Sequence, residues 1–344
     1  MDSGNSNLET LRNEDEAAFM ERAENNLNKL EEVRQEKLKT YITRKKIGIP
    51  LALVLGPVCA AIDGFLLTIQ SGSDDPIAGL TVVVLGGLYA WVTSPKKQYN
   101  KAYKRNILPR LAHMMGMEYH GYRKIAMNAM RDTKIVPKHD RYTAEDYFRG
   151  RYKGVDLEFS EIKLETEHRG KNGSKYYRTK FKGLAILLQI DKKSFFGHTI
   201  MLRNSNKLME WFKEKTTKLD KANLVDPEFE KIFDAYTNDQ TEARYLVDPA
   251  MIENLKTLYT EYQGNKMMVA YHENSMLIMI ASKHNHFEPA SIYTKATDPE
   301  SFRAMMREIK QILSVIDLLD LYDPIAWQQE KQKNAIHSAQ ESSN

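Results

Sequence analysis

Two apolar runs stand one after the other near the N-terminus, joined by a short polar turn, and they restrict this chain more than any other feature. Ile47 to Ile69 reads IGIPLALVLGPVCAAIDGFLLTI and holds one charge, Asp63. At about 1.5 Å of rise per residue, a helix of this length reaches the roughly 30 Å of hydrocarbon in a bilayer. Ile77 to Thr93, IAGLTVVVLGGLYAWVT, carries no charge and lies at the short end of the spanning range of roughly 17–25 residues. Tyr89 and Trp91 fall near its end, where aromatic rings favour the interface. The turn over 70–76, QSGSDDP, allows an antiparallel pair and little else. The pattern predicts one transmembrane helix over 47–69, an external turn over 70–76 and a second transmembrane helix over 77–93. Buried helices of a soluble protein are the alternative, but they are seldom apolar on every face for so long.

Charge sets the orientation. Arg44, Lys45 and Lys46 precede the first run, Lys96 and Lys97 follow the second, and the turn holds only Asp74 and Asp75. Cationic flanks resist translocation, so both termini are expected in the cytoplasm. The expected location is a cell inner membrane, crossed more than once. Asp63 is the one intramembrane polar residue singled out. A carboxylate in hydrocarbon is either functional or relieved by a partner. The two alternatives are a bond to Thr81 or the backbone, and a proton or ion relay.

Residues 1–12 read as disordered. Over 13–46 the text lacks Pro and Gly, and Met20, Ala23, Leu27, Leu30 and Val33 or Arg34 recur at helical spacing. This predicts a cytoplasmic amphipathic helix. Its stripe suits pairing with a copy of itself as a coiled coil, packing on the rest of the chain, or lying along the membrane.

The net charge of +4 is too mild for a dedicated nucleic-acid binder, and much of the basic charge flanks the apolar runs. Cys59, the only cysteine, rules out an internal disulfide and a Cys-based zinc site.

Residues 96–322 read as a cytoplasmic α+β domain, with antiparallel sheet and helices on one side. Helix is expected from Lys96 to Met130, broken at Pro109 and Gly116. Val155 to Glu165 alternates with period two, the mark of a half-buried strand. Strands are also expected over 176–190, 199–202 and 228–236, with a hairpin of 267–271 and 276–281 about the turn HENS. Helices are expected over 208–219, 250–262 with Asp248 as N-cap, and from Asp298-Pro299 to about Leu319. The tail over 328–344 reads as disordered. The fold class is thus α+β: an N-terminal helix, a two-helix transmembrane hairpin, then an antiparallel sheet with packed helices.

No phosphate loop, dinucleotide fingerprint, GxSxG or HExxH occurs in the chain. The weak metal candidates are His272, His284 and His286, with Glu273 beside the first; an HxH pair without further placed ligands is a poor signal. No catalytic residue and no cofactor are assigned. The lysine-rich stretch from Lys213 to Lys221 reads as a wet face or a contact with anionic headgroups.

Two stretches, DYFRGRYKGVDLEFSEIKLE with FKGLAILLQIDKKSFFGHTIML and DPEFEKIFDAYTNDQTEARYLVDPAMIENL with HFEPA, resemble a bacterial family of inner-membrane proteins. That family carries a cytoplasmic domain of unknown function and is often encoded near LemA-type proteins. The resemblance runs over roughly residues 40–320. It implies bacterial origin and the same topology, and brings no catalytic residues. The expectation is a non-enzymatic, membrane-anchored protein whose partners are the bilayer and either another protein or a second copy through the N-terminal helix. The alternatives are a membrane-bound hydrolase or metal enzyme at the histidines, and a transport or assembly accessory acting through an oligomeric hairpin.

Overall fold

A computed structural model describes residues 3–69, 79–170, 173–189, 197–203, 219–222, 233–247, 249–261, 264 and 266–318. They fall into two compact units. The first is Met1–Leu108 with Gly170–Ser174 and Phe287–Met305; the second is the remainder.

In the first unit, helix α1 runs unbroken over Ser3–Ile69. The helix runs through residues 3–12, which read from the sequence as disordered, and joins 13–46 to 47–69 without a break. Nothing in the text from Ser3 to Lys46 stops a helix, since it holds one Gly and no Pro. Helix α2, Leu80–Met114, turns back along α1. Asp63 meets Thr81 and Leu80. A Cβ on Gly48 would fall 2.4 Å from Val92 Cγ2, so glycine there lets the helices approach. Arg44 Nη1 donates to the Trp91 carbonyl at 2.9 Å.

One stretch, within Glu24–Leu66, is long and apolar enough to cross a membrane, and only 6% of it is buried. A soluble core helix would be covered. Instead Leu53 is 72% exposed and Phe65 64%. Among the described residues the second expected span is not matched by a second such helix. The apolar helical part of α2, from Leu80 to Thr93, rises only about 20 Å, and residues 70–78 lie outside the described residues.

The Leu27–Leu30–Arg34 stripe is buried. Its polar end engages residues 287–305 of the same unit. Arg34 Nη1 donates to the Ile292 carbonyl at 2.7 Å, the Ala296 amide donates to Glu31 Oε2 at 2.8 Å, and Tyr41 meets Tyr293 edge-on. From α2, Lys104 pairs with Glu288 at 2.6 Å and Asn100 donates to the same carboxylate.

The second unit is built on a nine-stranded antiparallel sheet. Its strands in chain order are β1 Met117–His120, β2 Arg141–Tyr152, β3 Val155–Arg169, β4 Lys175–Gln189, β5 His198–Arg203, β6 Asp220–Lys221, β7 Phe233–Thr237, β8 Lys266–His272 and β9 Ser275–Ala281. Across the sheet the order is β1-β2-β3-β4-β9-β8-β5-β7-β6. The central pair β8–β9 reads MMVAY and MLIMI and is buried on both faces. Such near-continuous apolar runs belong to covered strands. The edge strands β1 and β6 are short, which limits exposed ladder groups.

Ile162, Leu164, Ala185, Met268, Ala270, Leu277 and Met279 form one apolar face, packed with Met130 of α3 (Met127–Asp132). The opposite face carries Tyr271, whose hydroxyl meets the Met251 sulfur at 3.5 Å; Met251 lies on α5, Pro249–Glu261. Helices thus lie on both faces, not on one side. A short helix, α4 over Gln240–Leu246, is capped by Asp239, which accepts from the Thr241 and Glu242 amides. Helix α6, Pro299–Leu318, is capped at its start by Asp298, which accepts from the Glu300 amide. Expected helix from Lys96 to Met130 is replaced after Met114 by β1 and α3. Pro109 does not end α2. The expected helix over 208–219, the Asp248 cap and the tail over 328–344 lie on or largely within residues outside the described ones, as does the start of the 228–236 strand.

Candidate functional site

The singled-out residues sit in two separate settings. In the first unit, Asp63 faces the N-terminus of α2. Its carboxylate accepts from the Leu80 amide at 3.2 Å, the Thr81 amide at 3.0 Å and the Thr81 hydroxyl at 2.7 Å. The first amides of a helix have no intrahelical acceptor. Asp63 therefore caps α2 from the neighbouring helix, and its charge meets the positive end of the helix dipole. Arg44 serves a carbonyl inside α2: Pro95 has no N–H to give Trp91, and the Arg44 guanidinium bonds that carbonyl while lying 5.0 Å over the Trp91 ring. Lys45, Lys46, Lys96 and Lys97 are exposed.

The histidines of the second unit are not brought together as a ligand set. His272, at the end of β8, pairs across the ladder with His198 of β5, the rings meeting edge-on at 4.9 Å. His284 is exposed in the segment after β9. His286 is buried, and its amide donates to Glu161 Oε2 at 3.2 Å. Among the described residues no group of three His, Cys, Asp or Glu is placed to hold a metal ion.

His198 was not legible as special. It is buried at the start of β5, with Nε2 2.8 Å from the Thr133 carbonyl. A carbonyl only accepts, so Nε2 carries the proton. Burial pulls its pKa down to about 4, against the Thr133 hydrogen bond that would raise it. The ring is neutral at pH 7 and ties β5 to the end of α3.

A small cleft of about 130 Å³ opens on β2 to β4, lined by Thr143, Glu145, Glu161, Lys163, Lys182 and Asn285. Glu145 and Glu161 stand opposite each other in the ladder. The polar groups are mostly used by neighbours. Lys163 pairs with Glu165, Lys182 donates to Asn285, and Glu161 accepts from His286. No nucleophile is joined to a base here. A bulge between Glu145 and Phe148 puts Asp146 at φ +53°, buried, where it accepts from the Tyr119 hydroxyl at 2.7 Å. This is a register device that re-aims β2.

No curated protein matches this chain in sequence. Among solved structures, the crystal structure of the mycobacterial trehalose monomycolate transport factor A, TtfA, aligns over 98% of its own chain and 65% of this one, at 14% identity and a TM-score of 0.34. A similarity that slight says nothing here of fold or role. The family match is narrower than the 40–320 of the resemblance, and the sheet it shares in extends upstream of it into β1, β2 and β3. Residues 179–321, from within β4 to just past α6, match the family described as a protein of unknown function (DUF3137).

Proposed function

We propose that this protein is a non-enzymatic membrane anchor and docking platform. The apolar halves of α1 and α2 cross a bacterial inner membrane as a hairpin, with both termini in the cytoplasm. The α+β domain binds a protein partner or the membrane surface. The observation that carries this reading is the outward face of the helix pair. From Ile47 to Leu66 and from Leu80 to Trp91, Leu53, Val54, Val82 and Val83 are each more than 60% exposed. Contiguous apolar surface of this kind is not left to water. The one carboxylate in it is spent on the neighbouring helix. The cationic flanks lie at the outer ends.

Topology reporters test it. Alkaline phosphatase inserted after Ser73 is expected to be active, and the same enzyme fused after Asn344 inactive. The chain is expected to stay with membranes through an alkaline carbonate wash. Phosphatase activity at Asn344, or release of the chain by carbonate, overturns the anchor.

A further inference from the structure

The β3–β4 hairpin continues past its sheet. Each strand is 15 residues long, but β2 pairs with β3 only as far as Glu165 and β9 pairs with β4 only from Gly183. Beyond those points the two strands pair only with each other in the ladder, through Thr166↔Arg178, Glu167↔Tyr177, His168↔Tyr176 and Arg169↔Lys175, while the Glu167 amide also donates to Asp140 Oδ2 at 2.7 Å. Residues 175–180 are all exposed. An isolated two-stranded ribbon is at best marginal in water, so a bare extension of this length asks for a purpose.

Its two faces differ in charge. On one, Glu167 pairs with Lys175 at 2.9 Å, Glu165 pairs with Arg141 and Lys163, and the Arg141 guanidinium lies 4.1 Å over Tyr177. The carboxylates there are matched. The other face holds Thr166, His168, Tyr176 and Arg178 and has no carboxylate. Tyr176 stacks on His168 at 5.4 Å, and Arg178 lies 5.5 Å over Tyr176. Lys180, the extra residue where Leu164↔Phe181 gives way to Glu165↔Thr179, adds a second exposed cation. Among the described residues neither Arg178 nor Lys180 is paired with a carboxylate.

We propose that this face of the ribbon binds anionic phospholipid headgroups of the bilayer that anchors the chain. The proposal rests on the anchoring reading above. Guanidinium groups match phosphate oxygens in a planar, two-pronged way. Tyrosine, apolar with a polar tip, suits headgroup depth. A negatively charged leaflet attracts basic segments held close to it.

The test uses the full chain in nanodiscs of phosphatidylcholine alone, or of phosphatidylcholine and phosphatidylglycerol in equal parts. Hydrogen exchange is followed over residues 166–180. A cation at an anionic surface contributes roughly a fivefold factor, so exchange is expected to slow at least about fivefold in the anionic discs. High salt, or the double change Arg178→Glu with Lys180→Glu, should remove the slowing while β8 and β9 exchange as before. If the chain enters both discs and the ribbon exchanges alike in both, the proposal is overturned and the anchor stands. If the chain enters neither, the anchor reading falls and takes this one with it.

Discussion

Arg34→Met separates a helix that is merely near residues 287–305 from one that is fastened to them. Arg34 is 6% exposed. Its Nε and Nη2 donate to Glu31 at 2.8 and 2.7 Å, and Nη1 donates to the Ile292 carbonyl. Methionine keeps most of the apolar stem and removes all three bonds. The lost bond to Ile292 costs about 1 kcal/mol. The remaining cost falls on Glu31, whose carboxyl is held down at about 2, from 4.5, chiefly by the Arg34 hydrogen bonds, burial opposing. Converted in full, that shift is worth roughly 3 kcal/mol. The pair is partly wetted, so screening reduces it to roughly 1–2 kcal/mol. The Arg34–Glu31 pair lies within α1 and persists when the segment opens, so the segment itself loses about the Ile292 bond, about 1 kcal/mol, or roughly fivefold faster opening. Hydrogen exchange of residues 290–298 in the full chain reads this directly. Glu31→Gln, which keeps an acceptor for the Ala296 amide, should lose less. The pH dependence has a definite sign. A carboxyl depressed in the folded state contributes fully above its ordinary value of 4.5, and that contribution fades as pH falls toward about 2. The segment should therefore loosen between those limits in the native chain, and much less so in Arg34→Met. Native exchange rates in Arg34→Met would refute the fastening.

Two further perturbations probe the sheet and the hairpin. Gly183 sits in β4 at φ +153°, and a Cβ there would lie 2.0 Å from the Ile280 carbonyl oxygen and 2.7 Å from the Ser282 nitrogen. Gly183→Ala must push backbone aside and is expected to cost about 2–5 kcal/mol; a loss under about 1 kcal/mol in chemical denaturation would show the ladder can yield. Asp63→Ala strips the acceptor from three donors at the start of α2 and should lower the unfolding midpoint in mixed micelles, with Asp63→Asn intermediate because it keeps one acceptor oxygen. Equal loss in the two would assign the effect to charge rather than to capping.

Strands were readable where one face is wet or where an apolar run ends in a tight turn. Alternation marked β3, and the HENS turn marked β8 and β9. The strand β2 escaped because its pattern breaks at the bulge: Asp146 is buried while Glu145 beside it is exposed, so period two fails where the register shifts. β1 escaped because Met117 to His120 follows a helical text and only pairing with β2 makes it a strand. The α4 helix is shorter than any periodicity can show. Of the site residues, Asp63 was legible as a problem, since a carboxylate in an apolar run demands a partner, and Thr81 was within reach of inference. His198 was not, because its meaning depends on Thr133, 65 positions earlier in the chain.

The same economy recurs along α1. Its charged side chains meet backbone groups of other segments. Glu31 and Arg34 take the Ala296 amide and the Ile292 carbonyl, Arg44 takes the Trp91 carbonyl, and Asp63 takes the Leu80 and Thr81 amides. Helix termini and irregular segments carry unmatched donors and acceptors. Where water is scarce, only side chains can match them. A charge in an apolar run, or a cation beside one, therefore carries two messages at once. Arg44 reads from the sequence as a topology signal, and in the structure it also ties α1 to α2; the long-range effect of its charge on insertion and the local effect of its hydrogen bond need not be separate properties. The rod from Arg34 to Asp63 covers about 44 Å by helical rise. Bonds of this kind fasten it at both ends, Arg34 to the Ile292 carbonyl and Asp63 to the first amides of α2.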